Sequence, residues 1–375
     1  MLRTVAALAL EASLSRLAVL AAATGAVAAV VAVPATAQAL EFVPCSATAL
    51  RNAITRANTT PGPATLYLSY GCTYQLTVED NPGNGLPAVT SEIDVIGNRS
   101  TIRRASTTVN FRIFEVRGPG GDLTLRNLTV RDGRSTSGGA GGGGIAVAFG
   151  SRATLDNVEV TRNQALATGP GGGIAAGGTL ALRNSTVSYN IAQDNGGGVF
   201  ANGPLTLSNT TVTGNTARAQ AGGIDVHETL VATNSRVTDN SDREGAGGIQ
   251  VREGAAATLT DTLVRGNTTA RNSGGGGAAG GIVNLGSLSL ERTTVFANWA
   301  LGSDSQAGGI YNLGATASAT LRNSSVTHNL SGTAAESAGG VYNSGGTVSL
   351  TATPVTDNLP SNCAPSSPAV AGCTG

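Results

Sequence analysis

The sequence predicts an all-β solenoid: a coil of three short parallel strands, wound about ten times, with one short helix at its N-terminal end. Three observations predict it. The stretch GGGIAAGGTLALRNSTVSYN (171–190) returns as GGGVFANGPLTLSNTTVTGN (196–215) with almost every landmark in place. The V-x-x-N asparagines that close each copy, Asn163, Asn190, Asn215, Asn240, Asn267, Asn298, Asn329 and Asn358, stand 27, 25, 25, 27, 31, 31 and 29 residues apart. A tandem duplication of fixed length would not vary so, whereas a coil with adjustable turns does. Finally, 53 glycines, 3% aromatic and 12% charged residues suit neither a helix bundle nor a doubly wound sheet, and 40% hydrophobic residues held in register oppose disorder.

Four segments follow in order. Residues 1–39 read as an export signal: Arg3 and Arg16, an apolar run Leu17 to Val33, then Ala37-Gln38-Ala39 as a cleavage site. The alternative is a retained membrane anchor, because the run is long. Residues 40–90 form an N-terminal cap. There Leu50, Ala53, Ile54 and Ala57 recur at helical spacing in 46–58, with Ser46 as N-cap. Residues 91–358 are the repeats, and 359–375 a short tail. Cys45, Cys72, Cys363 and Cys373 lie two at each end. In an exported chain they read as staples, and of the three pairings the local ones, Cys45–Cys72 and Cys363–Cys373, are favoured; a metal site is the alternative, but no His lies near either pair.

Each repeat divides into G-G-[IV]-x-x, T-L-x-L-x-N and a third strand centred on Val. Stacked inward columns are expected of Ile174, Val199, Ile224, Ile249, Ile282, Ile310 and Val341, of Leu182, Leu207, Leu259, Leu290, Leu321 and Leu350, and of Val187 through Val355. The V-x-x-N asparagines are expected to form a ladder of amides. A second set (Asn184, Asn209, Asn234, Asn323, interrupted by Asp261, Arg292 and Ala352) and a third (Asn284, Asn312, Asn343) are read as structural too.

The signatures G-G-[AG]-I (GGGI, 171–174) and [FV]-x-x-N (VSYN, VTGN, VTDN, VRGN, VFAN) resemble the repeats of polymorphic outer-membrane proteins. CSATALRNAITRAN, from Cys45, resembles in part the C-S-L-R-E-A-I-x-x-A-N motif of secreted bacterial β-helix proteins. Together the resemblance implies a right-handed, pectin-lyase-like, single-stranded parallel β-helix, and adhesin-like use at a cell surface.

Chemistry is sought where copies depart from the pattern. The residues after the inward Ile or Val should point outward, and two adjacent coils there carry Asp225, His227, Glu228, Gln250, Arg252 and Glu253. Carboxylates and His could serve as acid and base on a polysaccharide, with Arg holding an acidic sugar. The bland alternative is a solvated ladder of Glu228 and Glu253 against Arg252, His227 and Arg243. Tyr311, Tyr342 and Trp299 are candidate sugar-stacking aromatics. No paired-Asp calcium cluster is present, and neither metal nor cofactor is expected. The net charge is zero, and all basic residues are arginine, so no basic field draws nucleic acid or lipid. The expectation is a secreted or surface-associated monomer without a stable membrane anchor, a non-catalytic scaffold binding extracellular glycan or another extracellular surface; the alternative is a polysaccharide lyase or hydrolase acting around Asp225–Glu253.

Overall fold

The computed structural model of the chain describes residues 39–106, 109–136, 141–270, 278–302, 305–332 and 337–375. The expected signal segment lies outside them, but for the backbone of Ala39. The chain is an all-β solenoid of about 11 turns with a single short helix near the N-terminus. Every strand pairing runs parallel, coil upon coil: a 20-stranded sheet holds the second and third strands of the repeats, and a 9-stranded sheet holds the first.

The three apolar columns form the core. Register pairs Ile174, Val199, Ile224, Ile249, Ile282, Ile310 and Val341 in one unbroken line, all buried. Glycines precede them because the coils touch there: a Cβ on Gly223 would come within 2.5 Å of the Gly248 carbonyl oxygen. At the N-terminal end the helix Ala47–Thr59, capped by Ser46, buries Leu50, Ala53, Ile54 and Ala57. The disulfides are Cys45–Cys72 and Cys363–Cys373. The last coil is less well covered: Val348 and Leu350 of Thr347–Thr351 are half-buried, with Cys363 and Val370 of the tail packed against the core.

The V-x-x-N asparagines are buried from Asn163 to Asn358. The Asn215 Oδ1 accepts both the backbone N–H of Asn190 and its side-chain Nδ2, each at 3.0 Å. The Asn190 amide also donates to the Val160 carbonyl one coil back, at 3.0 Å. The same pattern repeats at Asn240, Asn267, Asn298 and Asn329. The second asparagine set has another cause. Asn184, Asn209, Asn234 and Asn323, with Asp261, Arg292 and Ala352, stand at φ of 47 to 50°, where the long sheet turns its corner. Asn tolerates this left-handed conformation better than most residues, and the positions face solvent. The third set is a short buried ladder, Asn284 to Asn312 to Asn343, at 2.7 and 2.8 Å.

A further ladder of two-residue strands runs from Arg134–Ser135 to Leu330–Ser331, and from Gln164–Ala165 onward each strand follows a closing asparagine. Trp299 belongs to it, between Thr268 and Leu330. One expectation is corrected: the outward column of the nine-stranded sheet is largely covered. Ala246, Ala279 and Ala307 fold back over Val283 and Tyr311 as a second small core, bridged to one another and on to Ala338. Ala246, Ala279 and Ala307 thus line the outer side of this sheet, because a two-faced apolar strand buries its outer side where chain lies against it.

The ladder should dominate local stability. Asn240→Ala leaves the Asn215 backbone N–H and one of its Nδ2 hydrogens without an acceptor and is expected to cost about 2 kcal/mol in urea unfolding, whereas Asn234→Gly, at an exposed left-handed corner, changes stability by less than about 0.5 kcal/mol. Equal losses at the two positions would contradict the distinction.

Candidate functional site

In-register pairing sets Phe200, Asp225 and Gln250 side by side on the outer face of the nine-stranded sheet. His227 and Arg252 follow two residues later, on adjacent coils, so their side chains return to the same face. The alternation of a strand does this without any special loop. Asp225 is 0% exposed, although it points away from the solenoid core. Arg252 grips it bidentately, Nε to Oδ1 at 2.8 Å and Nη2 to Oδ2 at 2.7 Å. The His227 Nε2 lies 3.2 Å from Oδ2. That contact puts the imidazole proton on Nε2 and leaves Nδ1 without a protein partner among the described residues. The His227 ring rests on Phe200, centroids 4.8 Å apart.

The other candidates are placed as follows. Glu228 and Glu253 are exposed and stand outside this cluster; neither makes an ion pair with Arg252, His227 or Arg243 among the described residues. The expected surface ladder is therefore replaced by a single buried carboxylate. Gln250 is buried and donates to the Gln220 side chain at 3.1 Å. Tyr311 stacks on Tyr342 at 5.4 Å but is only 5% exposed, and burial pushes its hydroxyl pKa up. It is packed in the second core rather than presented to solvent. Trp299, 44% exposed, sits on the separate two-residue ladder and does not join these tyrosines. Among the described residues no group of three His, Cys, Asp or Glu is placed to hold a metal ion.

Sequence reasoning passed over what lies beside the cluster. Toward the N-terminus the outer face stays open as a groove of about 210 Å³. Ala146 and Ala175 form its floor, Phe149 and Phe200 its apolar walls, and Glu115 marks its far end. Phe149 is 90% exposed, and Asn84 holds the Glu115 carboxylate at 3.0 Å. Four strand spacings separate Glu115 from Asp225, roughly 19 Å. The cover begins immediately beyond Asp225: a Cβ on Gly245 would lie 2.4 Å from the Gln250 Oε1. The cluster thus stands at the lip where an open groove meets the covered face. One signal was available, since Phe149 is one of only 6 phenylalanines in the chain.

Further carboxyls surround the lip. Burial, then the negative charge of Asp225, raises the Asp194 carboxyl; Arg252 opposes this, and Glu244 adds to it. Asp242, fully buried in a column of small residues, accepts the backbone N–H groups of Glu244 and Gly245 at 3.2 and 2.5 Å. Burial pushes its carboxyl up to about 7, against the partial opposition of these bonds and the Thr269 hydroxyl.

Two predictions follow from this geometry. Arg252→Ala strands a buried carboxylate and should lower stability by about 3 kcal/mol, while Asp225→Ala/Arg252→Ala loses less than the single change; a double variant at least as unstable as the single one contradicts the pairing. For Asp242, the folded chain keeps a proton that the unfolded chain releases near pH 3.8, so stability falls as pH rises from about 4 to about 7 and then levels. Asp242→Asn is therefore expected to be more stable than the parent at pH 8, by roughly 4 kcal/mol, and no more stable at pH 4. A pH-independent difference in paired urea titrations counts against this account.

Among solved structures the chain is similar to two Azotobacter vinelandii mannuronan C-5 epimerase A-modules and to the pectate lyase Pel9A. The AlgE6 module is 17% identical, with a TM-score of 0.41 over 82% of this chain and 94% of that one. The AlgE4 module is 15% identical, with a TM-score of 0.42 over 84% and 94%. Pel9A is 14% identical, with a TM-score of 0.46 over 86% and 81%. No curated protein matches the sequence. Residues 74–230 and 115–294, together more than half of the chain, match the family described as the right handed beta helix region. With its parallel coils and stacked inward columns, the chain belongs to the right-handed β-helix family.

Proposed function

We propose that the protein is an exported β-helix that binds an extended polysaccharide along the outer face of its nine-stranded sheet. One observation carries this reading: an open groove floored by Ala146 and Ala175 and flanked by the solvent-facing ring of Phe149 and by Phe200. Sugar rings offer apolar C–H faces to such aromatics, and the flat alanine floor lets a chain lie across several coils. Asn202 and Glu115 supply hydrogen-bonding groups within the groove. Export is supported by the two disulfides and by the signal-like composition of residues 1–39. No helix among the described residues is long and apolar enough to cross a membrane.

A second reading adds chemistry, and Asp225–His227 favours it. A buried carboxylate fixes the tautomer of a part-exposed histidine whose other nitrogen has no protein partner among the described residues. Such a nitrogen can take the proton from the carbon next to a uronate carboxyl; the electron pair then forms the C=C bond as the neighbouring glycosidic C–O bond breaks, and the departing oxygen takes a proton from water. Asp225 itself is fully engaged by Arg252 and His227, so its role there is positioning.

Titration of the mature protein against pectin, alginate and neutral plant polysaccharides tests both readings. Phe149→Ala is expected to weaken binding about tenfold; unchanged affinity for every polymer sinks the groove. Absorbance of unsaturated products, abolished in His227→Ala while binding persists, establishes elimination, and its absence with all uronates leaves binding alone.

A further inference from the structure

A larger concavity than the groove lies elsewhere, at the corner of the long sheet in the first coils. It holds about 540 Å³ and is lined by Tyr70, Asn98, Arg99, Asn127, Asn157 and Glu159, among others. It exists because the corner is irregular there. Later coils turn on one left-handed residue, Asn127 and Asn157 both at φ 54°. In the coil before them the register passes from Ile96 opposite Arg126 to Ser100 opposite Leu128. Gly97, Asn98 and Arg99 thus stand where Asn127 stands alone. Gly97 lies hard against the next coil, where a Cβ would meet that of Leu128 at 2.3 Å. Asn98 and Arg99 then take φ of 51° and 61° in succession, an uncommon conformation for an arginine. The extra residues form a raised rim over the asparagines that follow.

The rim carries binding chemistry. The Arg99 Nη1 lies 3.4 Å from the Tyr70 hydroxyl and steadies a ring that is 74% exposed. Asn98 donates to the Leu68 carbonyl at 2.8 Å. The Asn157 Nδ2 donates to the Asn127 Oδ1 at 2.6 Å, which leaves the Asn127 NH₂ and the Asn157 Oδ1 without protein partners among the described residues. A donor and an acceptor one coil apart match neighbouring sugar hydroxyls, which both donate and accept. Arg99 and Glu159 bring one charge of each sign, so the trough carries no bias toward an ionic ligand.

We propose that this trough is a second glycan site, taking a neutral oligosaccharide with one ring on Tyr70 and hydroxyls on the Asn127 and Asn157 amides. It shares the glycan-binding reading given above but uses a different face, and neither site requires the other. Residues held in costly conformations gather at functional sites, and the doubled left-handed step at Asn98–Arg99 is such a place.

The test is calorimetric titration of the mature chain, its Phe149→Ala variant and Phe149→Ala/Tyr70→Ala with xylohexaose, mannohexaose, cellohexaose and hexagalacturonate. The proposal expects a neutral hexaose to bind Phe149→Ala and to lose at least tenfold on adding Tyr70→Ala, with hexagalacturonate failing to compete. Phe149→Ala without effect on total binding removes the groove and leaves the trough. No neutral hexaose binding to Phe149→Ala, binding indifferent to Tyr70→Ala, or tighter binding of hexagalacturonate overturns the trough. Arg99→Gly separates function from architecture: it relieves the left-handed arginine, so the melting temperature should hold or rise while neutral-hexaose binding falls. A lowered melting temperature with binding retained also overturns the proposal.

Discussion

The buried asparagine ladder is the interaction on which the rest of the molecule depends. Each closing amide bonds forward to the next coil's oxygen and backward to a core-strand carbonyl, so one side chain ties three layers together. This fixes rise and register at a single corner. Once the corner is fixed, the Ile, Leu and Val columns must stack like on like, and outward residues of successive coils must align. The Asp225–Arg252 contact is a product of that alignment: two residues 27 apart in sequence meet because their coils cannot slip.

A solenoid so determined has little freedom to build a deep cavity. Its concavities arise where the repeat is interrupted, by a rim or by a lining. Extra residues at 97–99 raise a wall on one corner. The alanines at 246, 279 and 307 line the nine-stranded sheet beyond Gln250, and before Asp225 a groove remains between Phe149 and Phe200. Both candidate sites are therefore edges of irregularities rather than features of the repeat unit.

The same logic separates what the sequence discloses from what it conceals. The core columns, the amide ladder, the capping helix and the local disulfides were legible because each rests on a short period or a local residue preference. Asp225, His227 and Arg252 stood out as clustered charge in a chain with only 12% charged residues, and the structure does bring them into contact. Glu228 and Glu253 looked equivalent in a list of letters but lie in turns, where neighbouring carboxylates diverge into water. Tyr311 looked like a surface ring because strand alternation alone says outward; its burial depends on Ala279 and Ala307, which no periodicity places against it. Phe149 was passed over because it occupies a turn outside the three columns, and its exposure is visible only once the loops around it are placed.

The two ends of the rod are closed unequally, and this has a mechanical consequence. A helix seals the first coil with four buried side chains, while the last coil leaves Val348 and Leu350 half-covered. In a stack where each layer touches only its neighbours, disorder enters at an end and advances by layers. Peeling under tension or heat therefore begins at the C-terminal coil and travels inward. The coils bearing Phe149, Phe200 and His227 sit several layers from that front, and the trough at Tyr70 is farther still, so both faces keep their shape while the tail end frays.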